Sequence, residues 1–170
     1  MANRNLTGIL LVGGASSRFG SPKALARFEG ETLAERAWRL LREACTERIA
    51  VGDPEGLPFE TLDDPGTGPV AAIAAGLRRA TCEVAVVVPV DMPLLMSGAL
   101  RLLADACREA AVAQRGPLPC AVATRMLPAF ETGERRLSAV LDGLDIARIQ
   151  LEERMLANVN TRADLDTLAS

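Results

Sequence analysis

Apolar residues are distributed along the chain in two alternating patterns. Short, almost continuous apolar runs, typical of strands buried on both faces of a parallel sheet, occupy residues 7–12, 48–51, 83–90 and 120–123. Between these runs, apolar residues recur at helical spacing or small residues dominate, which predicts helices over 32–41, 70–80, 97–111 and 134–141. Because strands alternate with helices, the pattern predicts a mostly parallel sheet that carries helices on both faces.

The remaining segments complete the predicted elements. The pattern predicts a short strand over 59–62, a loop or frayed strand over 112–119, and a half-buried strand over 146–152. Ser97 is interpreted as the N-cap of its helix, and Thr161 with Asp164 predicts a capping box that opens a terminal helix. We therefore expect an α/β fold, a Rossmann-like three-layer sandwich, formed by residues 1–170 as a single domain. The pattern leaves the direction of a late strand open.

The first predicted strand ends in a loop of glycine and serine that runs to a lysine. The candidate nucleotide-binding residues of this segment are Leu11, Val12, Gly13, Gly14, Arg18 and Lys23. Glycine lacks a Cβ atom, so backbone N–H groups at Gly13 and Gly14 can approach an anion closely. Arg18 suits bidentate contact with phosphate, and Lys23 supplies a point charge. The spacing matches neither a Walker A motif nor the dinucleotide-binding glycine motif, so we interpret it as another kind of phosphate loop.

Two other segments place candidate chemistry at the ends of predicted elements. The strand over 83–90 is followed by Asp91, at the position where open α/β sheets bind their ligands. A carboxylate there is suited to hold Mg²⁺ on nucleotide phosphates, because this ion combines one or two carboxylates with phosphate oxygens and water. An N-cap or turn role is the structural alternative for Asp91. The segment 63–69 is rich in residues that interrupt helices and strands, and it leads into a predicted helix with Pro69 in its first turn. The N-terminus of this helix favours an anionic or polar ligand.

Composition narrows the class of protein further. The 170 residues carry a net charge of −3, which argues against general nucleic-acid binding and assigns any anionic ligand to a local basic site. The sequence contains no histidine, so histidine-based catalysis is excluded. Its four widely spaced cysteines are interpreted as structural thiols of a reducing compartment. Neither a signal peptide nor a membrane-spanning run is recognised, and we expect a cytoplasmic protein without a membrane partner.

The loop that ends at Lys23 resembles the signature of nucleotidyltransferases that make nucleotide-activated sugars and cofactors. Other segments are similar to one branch of that family, the MobA-like molybdenum cofactor guanylyltransferases. These segments are residues 68–73, 89–94, 133–137 and the string Asn158-Val159-Asn160-Thr161, of which the last is the most characteristic of the branch. The resemblance covers nearly the whole chain.

This resemblance implies a reaction and roles for the charged residues. GMP is transferred from GTP to molybdenum-bound molybdopterin, and pyrophosphate is released. Arg18 and Lys23 are then expected to offset charge on the triphosphate, and Asp91 is expected to hold Mg²⁺. Partner proteins that deliver or collect the labile pterin are expected in this family.

The resemblance also implies roles for uncharged and acidic residues around the substrates. Asp64 and Gly68 are expected to line the ribose or the edge of the base, beside Pro69. Asn158 and Asn160 are expected to face the acceptor.

Three departures from the family pattern concern the base and the acceptor. Gly52 stands where guanylyltransferases often carry asparagine, and the segment 52–64 is short. Leu118, before Pro119, replaces a polar residue that is usual near the acceptor. One alternative is therefore a transferase that uses CTP on the same cofactor, or another NTP on a phosphorylated metabolite. A third hypothesis is a non-catalytic nucleotide-binding protein of the same fold, but the joint presence of the triphosphate-binding charges favours an enzyme.

Overall fold

The computed structural model describes residues 5–13, 19 and 21–169. Its strands are β1 Leu6–Leu11, β2 Arg27–Phe28, β3 Glu31–Thr32, β4 Glu47–Val51, β5 Val84–Pro89, β6 Ala110–Ala113, β7 Cys120–Ala123 and β8 Ile146–Ile149. Its helices are α1 Leu33–Ala44, α2 Pro69–Arg79, α3 Ser97–Ala106, α4 Leu137–Asp142 and α5 Arg162–Leu168, with 3-10 turns at Lys23–Leu25, Thr124–Glu131 and Glu153–Leu156. None of the described helices combines the length and the hydropathy that crossing a membrane requires.

Six strands of the described residues form one sheet in the order β4-β1-β5-β7-β6-β8. β1 pairs in parallel with both β4 and β5, and β6 pairs in parallel with β8. β7 runs antiparallel to both of its neighbours, β5 and β6, so the late strand whose direction the sequence left open is antiparallel. Because β4, β1 and β5 are parallel neighbours, the loops that follow these strands leave the sheet side by side. We call this region the carboxyl end of the sheet.

The pleat of the strands separates two hydrophobic layers. In β1, Leu6 and Leu10 pack with α1 and α3, whereas Ile9 and Leu11 pack with α2 and α4. β5 alternates in the same way, and all of its residues before Pro89 are buried. Because helices cover both faces, these strands are buried and, apart from Thr7, carry no polar side chain, and the predicted three-layer α/β sandwich is confirmed.

The helix predicted over residues 97–111 begins at residue 97 as predicted, but its C-terminal end and its N-cap were predicted wrongly. It ends at Ala106, and Ala110–Ala113 instead form β6 between β7 and β8. Alanine favours a helix locally, but strand partners on both sides satisfy the backbone hydrogen bonds of this segment. At the other end, Met96 is the N-cap residue of α3 and Ser97 is already helical.

Two smaller predictions also need correction. The strand predicted over 59–62 is wrong except at its last residue, where Leu62 forms an isolated parallel bridge with Val51. The helix predicted from residue 134 begins three residues later as α4, because the Glu134 carboxylate accepts hydrogen bonds from the next two backbone N–H groups in a non-helical turn. The capping box that opens α5 is confirmed.

Two of the cysteines show directly why the thiols are structural. Cys120 is fully buried in β7, and Cys45 lies half-buried at the end of α1. Burial raises the pKa of both thiols to about 12. They are therefore protonated at neutral pH and act as small apolar side chains rather than as nucleophiles.

Candidate functional site

The carboxyl end of the sheet brings together the loops that the sequence analysis singled out. β1 leads into Gly13, β4 into Gly52 and β5 into Asp91. Since β4 and β5 flank β1, these three loops are neighbours. The backbone N–H of Val12 still donates a hydrogen bond to the carbonyl of Val51 at 3.0 Å, so the first two loops leave the sheet together. In an open α/β sheet, this is the region in which a ligand binds.

A large cleft of about 510 Å³ opens between the ends of β1 and β4 and the start of α2. This volume is typical of a site for a small molecule. The described residues that line the cleft are Leu11, Gly13, Val51, Asp64, Gly66, Gly68, Pro69 and Ala72. The structure therefore brings together five residues that were predicted to bind nucleotide, namely Leu11, Gly13, Asp64, Gly68 and Pro69.

A small cleft of about 340 Å³ lies beside the large one. The described residues that line it are Val12, Gly13, Pro22, Lys23, Asp53, Pro54, Asp64 and Gly66. Gly13, Asp64 and Gly66 border both clefts, so the two form neighbouring compartments around the end of β1. Val12 and Lys23, which were predicted to bind nucleotide, line this second compartment.

The backbone at Gly13 is closely surrounded by its neighbours. A Cβ atom built on Gly13 would lie 2.5 Å from Oδ2 of Asp64, and one built on Gly52 would lie 2.4 Å from the backbone nitrogen of Gly13. Gly52 also has a φ of 140°, which residues with a side chain rarely adopt. Gly52 therefore requires glycine in this backbone, whereas at Gly13 the missing Cβ leaves room for the Asp64 carboxylate. The departure from the family pattern at Gly52 follows from the close approach of the loops after β1 and β4.

Two aspartates hold the loop between β4 and α2 against this point. Oδ1 of Asp64 accepts a hydrogen bond from the backbone N–H of Gly66 at 2.8 Å. The backbone N–H of Asp64 donates to Oδ1 of Asp53 at 3.2 Å. The first bond forms an Asx-type turn, and the second holds this turn against Asp53. The other carboxylate oxygen of Asp64 lies toward Gly13, and Asp64 lines both clefts.

Lys23 connects three distant parts of the chain. Its Nζ lies 3.3 Å from Oδ2 of Asp91 and 3.5 Å from Oδ1 of Asn160. The side chains of Lys23 and Asp91 are 18% and 23% exposed, so the pair is partly shielded but open to a ligand. The carbonyl of Asp91 accepts a hydrogen bond from the N–H of Val159 at 2.9 Å, which holds the terminal segment beside it. A cation, a carboxylate and an amide thus meet at one point beside the small cleft.

The capping box of α5 fixes the position of Asn160. Oδ2 of Asp164 accepts hydrogen bonds from the backbone N–H groups of Asn160, at 2.7 Å, and Thr161, at 2.8 Å. These hydrogen bonds lower the pKa of the Asp164 carboxyl. The Thr161 hydroxyl accepts in return from the N–H of Asp164 at 3.2 Å. The backbone that carries the Asn160 amide is therefore held by a rigid local motif.

Some predicted site residues do not join this cluster. Gly14 and Arg18 lie outside the described residues. Asn158 is exposed, and the contact from the terminal segment to Lys23 comes from Asn160. Leu118 is half-buried and packs against the hydrophobic layer that α2 and α4 cover.

The sequence analysis missed several residues that line the two clefts. These are Pro22, Val51, Asp53, Pro54, Gly66 and Ala72. Asp53 carried a usable signal, because the run Gly-Asp-Pro directly after a strand marks a loop at the carboxyl end of the sheet. Ala72 and Val51 carried none, since small apolar residues of this kind are ordinary in a helix or a buried strand.

Asp91 fits a ligand of Mg²⁺. Its carboxylate follows the central strand β5 and lies 3.3 Å from Nζ of Lys23, a residue that lines the small cleft. The same Nζ lies 3.5 Å from the amide oxygen of Asn160. Hard oxygen ligands of this kind are those that Mg²⁺ prefers. Since the ion keeps phosphate oxygens and water among its ligands, one aspartate is a sufficient contribution from the protein.

An open α/β sheet with glycine-walled clefts and a lysine–aspartate pair at its carboxyl end defines a nucleotide-binding α/β protein. The amino-acid sequence assigns the protein to a narrower class. Residues 8–150 match the MobA-like NTP transferase domain, and the chain belongs to this family. The resemblance recognised in the sequence is thereby confirmed.

Relatives of known name support this assignment. A protein of Deinococcus radiodurans named as a probable molybdenum cofactor guanylyltransferase is 35% identical and aligns with 96% of this chain and 94% of its own. The molybdenum cofactor guanylyltransferase of Xanthomonas euvesicatoria is 32% identical, over 93% and 91% of the two chains. The crystal structure of molybdopterin-guanine dinucleotide biosynthesis protein A from Archaeoglobus fulgidus has a TM-score of 0.79, covers 96% of both chains and is 22% identical. This last likeness shows the shared fold.

Proposed function

We propose that this protein transfers GMP from GTP to the terminal phosphate of molybdenum-bound molybdopterin and releases pyrophosphate. The family and the names of the relatives support this substrate pair. The observation that carries the proposal is the contact of Lys23 Nζ with both Asp91 and Asn160 beside the small cleft. A single lysine that links the strand-end aspartate to the terminal segment is suited to a reaction in which two phosphorylated substrates meet.

In this mechanism the nucleotide occupies both clefts. The guanosine enters the large cleft beside Asp64, Gly68 and Pro69, and the phosphates follow the backbone of Gly13 toward Lys23. Close approach of phosphate to the backbone needs the missing Cβ of Gly13. The positive end of α2, which begins at Pro69, adds favourable potential for an anionic ligand.

The chemical step is a displacement at the α-phosphorus of GTP. An oxygen of the pterin phosphate attacks this phosphorus, the bond to the bridging oxygen of the β-phosphate breaks, and pyrophosphate leaves with the electron pair. No covalent enzyme intermediate is required, so the protein contributes position and charge. Lys23, together with Arg18 of the same loop, offsets the negative charge that grows on the leaving group.

Asp91 is the residue that would hold Mg²⁺ in this site, with the Asn160 amide oxygen near it. The ion would supply charge stabilisation for the phosphates. Asn160, with Asn158 two residues before it, would face the pterin, and the capping box keeps Asn160 in position. The acceptor is thereby held on the side of Lys23 that is opposite the guanosine.

The proposal is tested first by nucleotide-dependent thermal stability. GTP with Mg²⁺ is expected to raise the melting temperature, whereas ATP and UTP serve as controls. A nucleotide at a hundred times its Kd stabilises by about 2.7 kcal/mol, which corresponds to roughly 5–10 °C for a domain of this size. A shift with CTP alone would assign the protein to the cytidylyl alternative, and no shift with any nucleotide would contradict the enzyme hypothesis.

A product assay completes the test. Purified protein, GTP, Mg²⁺ and molybdenum-bound molybdopterin are incubated, and the dinucleotide cofactor and pyrophosphate are measured. Equal amounts of the two products are expected, and none without the pterin. Release of pyrophosphate in the absence of the pterin would contradict a direct transfer to that acceptor.

A further inference from the structure

The terminal segment that carries Asn160 also contacts the loop before Lys23 at two further points. The guanidinium of Arg162, the first residue of α5, donates a hydrogen bond from Nη2 to the hydroxyl of Ser21 at 3.2 Å. Its Cζ atom lies 6.0 Å from the centroid of the Phe19 ring. One arginine therefore contacts two residues of the loop that runs into Lys23.

The exposed Arg162 side chain has a buried residue, Phe19, as one of its two partners. The Phe19 ring is only 4% exposed and belongs to the hydrophobic layer on the α1 side of the sheet. A guanidinium over an aromatic face at this distance is attracted to the ring, and its planar shape allows a directional hydrogen bond at the same time. Lysine would supply the charge but not this geometry.

Arg162 is itself attached to a fixed element. The capping box sets the start of α5, and the buried Val159 and Leu165 anchor the segment on either side in the core. The loop partner is Ser21, which lies only two residues before Lys23. A restraint on Ser21 therefore limits where the Lys23 ammonium can lie relative to Asp91 and Asn160.

We infer that Arg162 is a positioning residue for the nucleotide loop. It clamps Phe19 and Ser21 to α5 and so keeps Lys23 beside Asp91 before a nucleotide arrives. This inference rests on the proposed function, since it assigns to Arg162 the preorganisation of that same phosphate site. Preorganisation lowers the entropy that must be lost on binding, so the clamp acts mainly on nucleotide affinity.

The test compares three variants of the full-length protein. Arg162→Ala removes the clamp, Arg162→Lys keeps the charge, and Arg154→Ala removes an exposed arginine from the preceding 3-10 turn as a matched control. Arg162→Ala is expected to raise the Kd for GTP and the KM for GTP by about fivefold to tenfold, with kcat changed by less than about threefold. Arg162→Lys should recover part of the affinity, and Arg154→Ala should bind as the wild type does.

A second measurement reports on the clamp without any nucleotide. The backbone N–H groups of Leu25 and Ala26 are hydrogen-bonded within the turn that contains Lys23, at 3.0 Å each. Their amide exchange is expected to be several-fold faster in Arg162→Ala than in Arg154→Ala, because release of Ser21 loosens this turn. A Ser21→Ala variant should reproduce part of the effect and should add little to Arg162→Ala in the double variant.

The outcomes separate the two proposals. Absence of GTP binding in the wild type, with faster exchange in Arg162→Ala, would reject the proposed function and keep the clamp. Wild-type exchange and wild-type GTP affinity in Arg162→Ala would overturn the clamp and leave the proposed function intact. An equal loss of affinity in Arg154→Ala would reduce the effect to general electrostatics and would also overturn it.

Discussion

Polar side chains have different surroundings at the two ends of the sheet. At the amino end, the buried Thr7 hydroxyl donates to Oε2 of Glu47, which also accepts from the N–H of Thr81 at 2.9 Å. The N–H of Cys82 donates to the Thr7 hydroxyl in turn, at 3.4 Å. These groups join the starts of β1 and β4 to the chain that enters β5, and their bonds are directed at one another.

At the carboxyl end, polar groups of the same kinds border open clefts. Asp53, Asp64 and Lys23 line the small cleft, and Asp91 contacts Lys23 beside it. Asp53, Asp64 and Lys23 each make an internal contact and also border space in which a ligand can lie. Buried polar groups that are hydrogen-bonded to their neighbours therefore stabilise the fold, whereas polar groups placed around a cavity are available for chemistry. Variants at the two ends should therefore separate activity from stability.

The largest effect is expected for Asp91→Ala at the carboxyl end. Loss of the carboxylate removes the proposed Mg²⁺ ligand and leaves Lys23 without its anionic neighbour, so Mg²⁺-dependent turnover should fall to background. The melting temperature should change little, because the Asp91 side chain is partly exposed and solvent weakens its ion pair with Lys23. The product assay and a thermal melt measure both quantities, and near wild-type turnover in this variant would remove Asp91 from the metal site.

Lys23→Ala is expected to have the next largest effect. Removing one charge that stabilises the leaving pyrophosphate should lower kcat by about tenfold to a thousandfold. Steady-state kinetics with GTP and the pterin distinguish this from a binding role. If KM rises while kcat is unchanged, Lys23 contributes to ground-state binding alone.

Glu47→Leu, at the amino end of the sheet, should lower stability and leave activity unchanged. It leaves the buried Thr7 hydroxyl and the Thr81 N–H without their acceptor, which lowers the free energy of unfolding by about 1–3 kcal/mol. For a chain of this size that corresponds to a fall in melting temperature of about 2–4 °C per kcal/mol. Activity at room temperature should stay at the wild-type level. A Thr7→Val/Glu47→Leu double variant should be destabilised by less than the sum of the single changes, because the Thr7–Glu47 hydrogen bond is lost in each of them. The N–H groups of Thr81 and Cys82 still lose their acceptors in the double variant, so part of the destabilisation remains.

The smallest effect concerns acid stability. Burial acts to raise the pKa of Glu47, but hydrogen bonds from the Thr7 hydroxyl and the Thr81 N–H bring it below its ordinary value of 4.5. Because the folded-state pKa is the lower one, this stabilisation is complete above pH 4.5 and is lost as the pH falls through the folded-state value. Urea unfolding at a series of acidic pH values should show a shallower loss of stability in Glu47→Gln than in the wild type. Identical slopes would show that Glu47 does not contribute to the acid response.

Prediction from the sequence succeeded where burial on both faces left a continuous pattern. β1 and β5 are buried along their length and apolar except at Thr7, so each strand is recognisable from its own residues alone. It failed at β6, where an alanine-rich segment continues the pattern of α3. The pairing of β6 with β7 and β8 decided that segment, and such pairing between distant strands is invisible in a local window.

The residues of the candidate site also fall into those that the sequence predicted and those that it did not. Gly13, Lys23 and Asp91 were predicted because each follows a recognisable element at the carboxyl end of a strand or in a glycine loop. Arg162 was not predicted, because an arginine at the start of a helix is ordinary until its contact with Ser21 is known. Asp53 was also missed, although its place in the run Gly-Asp-Pro after β4 marked a loop at the carboxyl end of the sheet. Only its hydrogen bond to the backbone of Asp64, eleven residues later, depends on the tertiary structure.

The class of fold, the phosphate loop and the family can be read from the amino-acid sequence alone, because these depend on local patterns of apolar residues and on motifs of fixed spacing. Packing in three dimensions determined which loops meet and which groups lie at each end of the sheet. It decided that Gly52 must be glycine, because the loops after β1 and β4 approach within contact distance. It also decided that Lys23 meets Asp91 and Asn160, since contacts across 68 and 137 positions arise from packing and not from spacing along the chain.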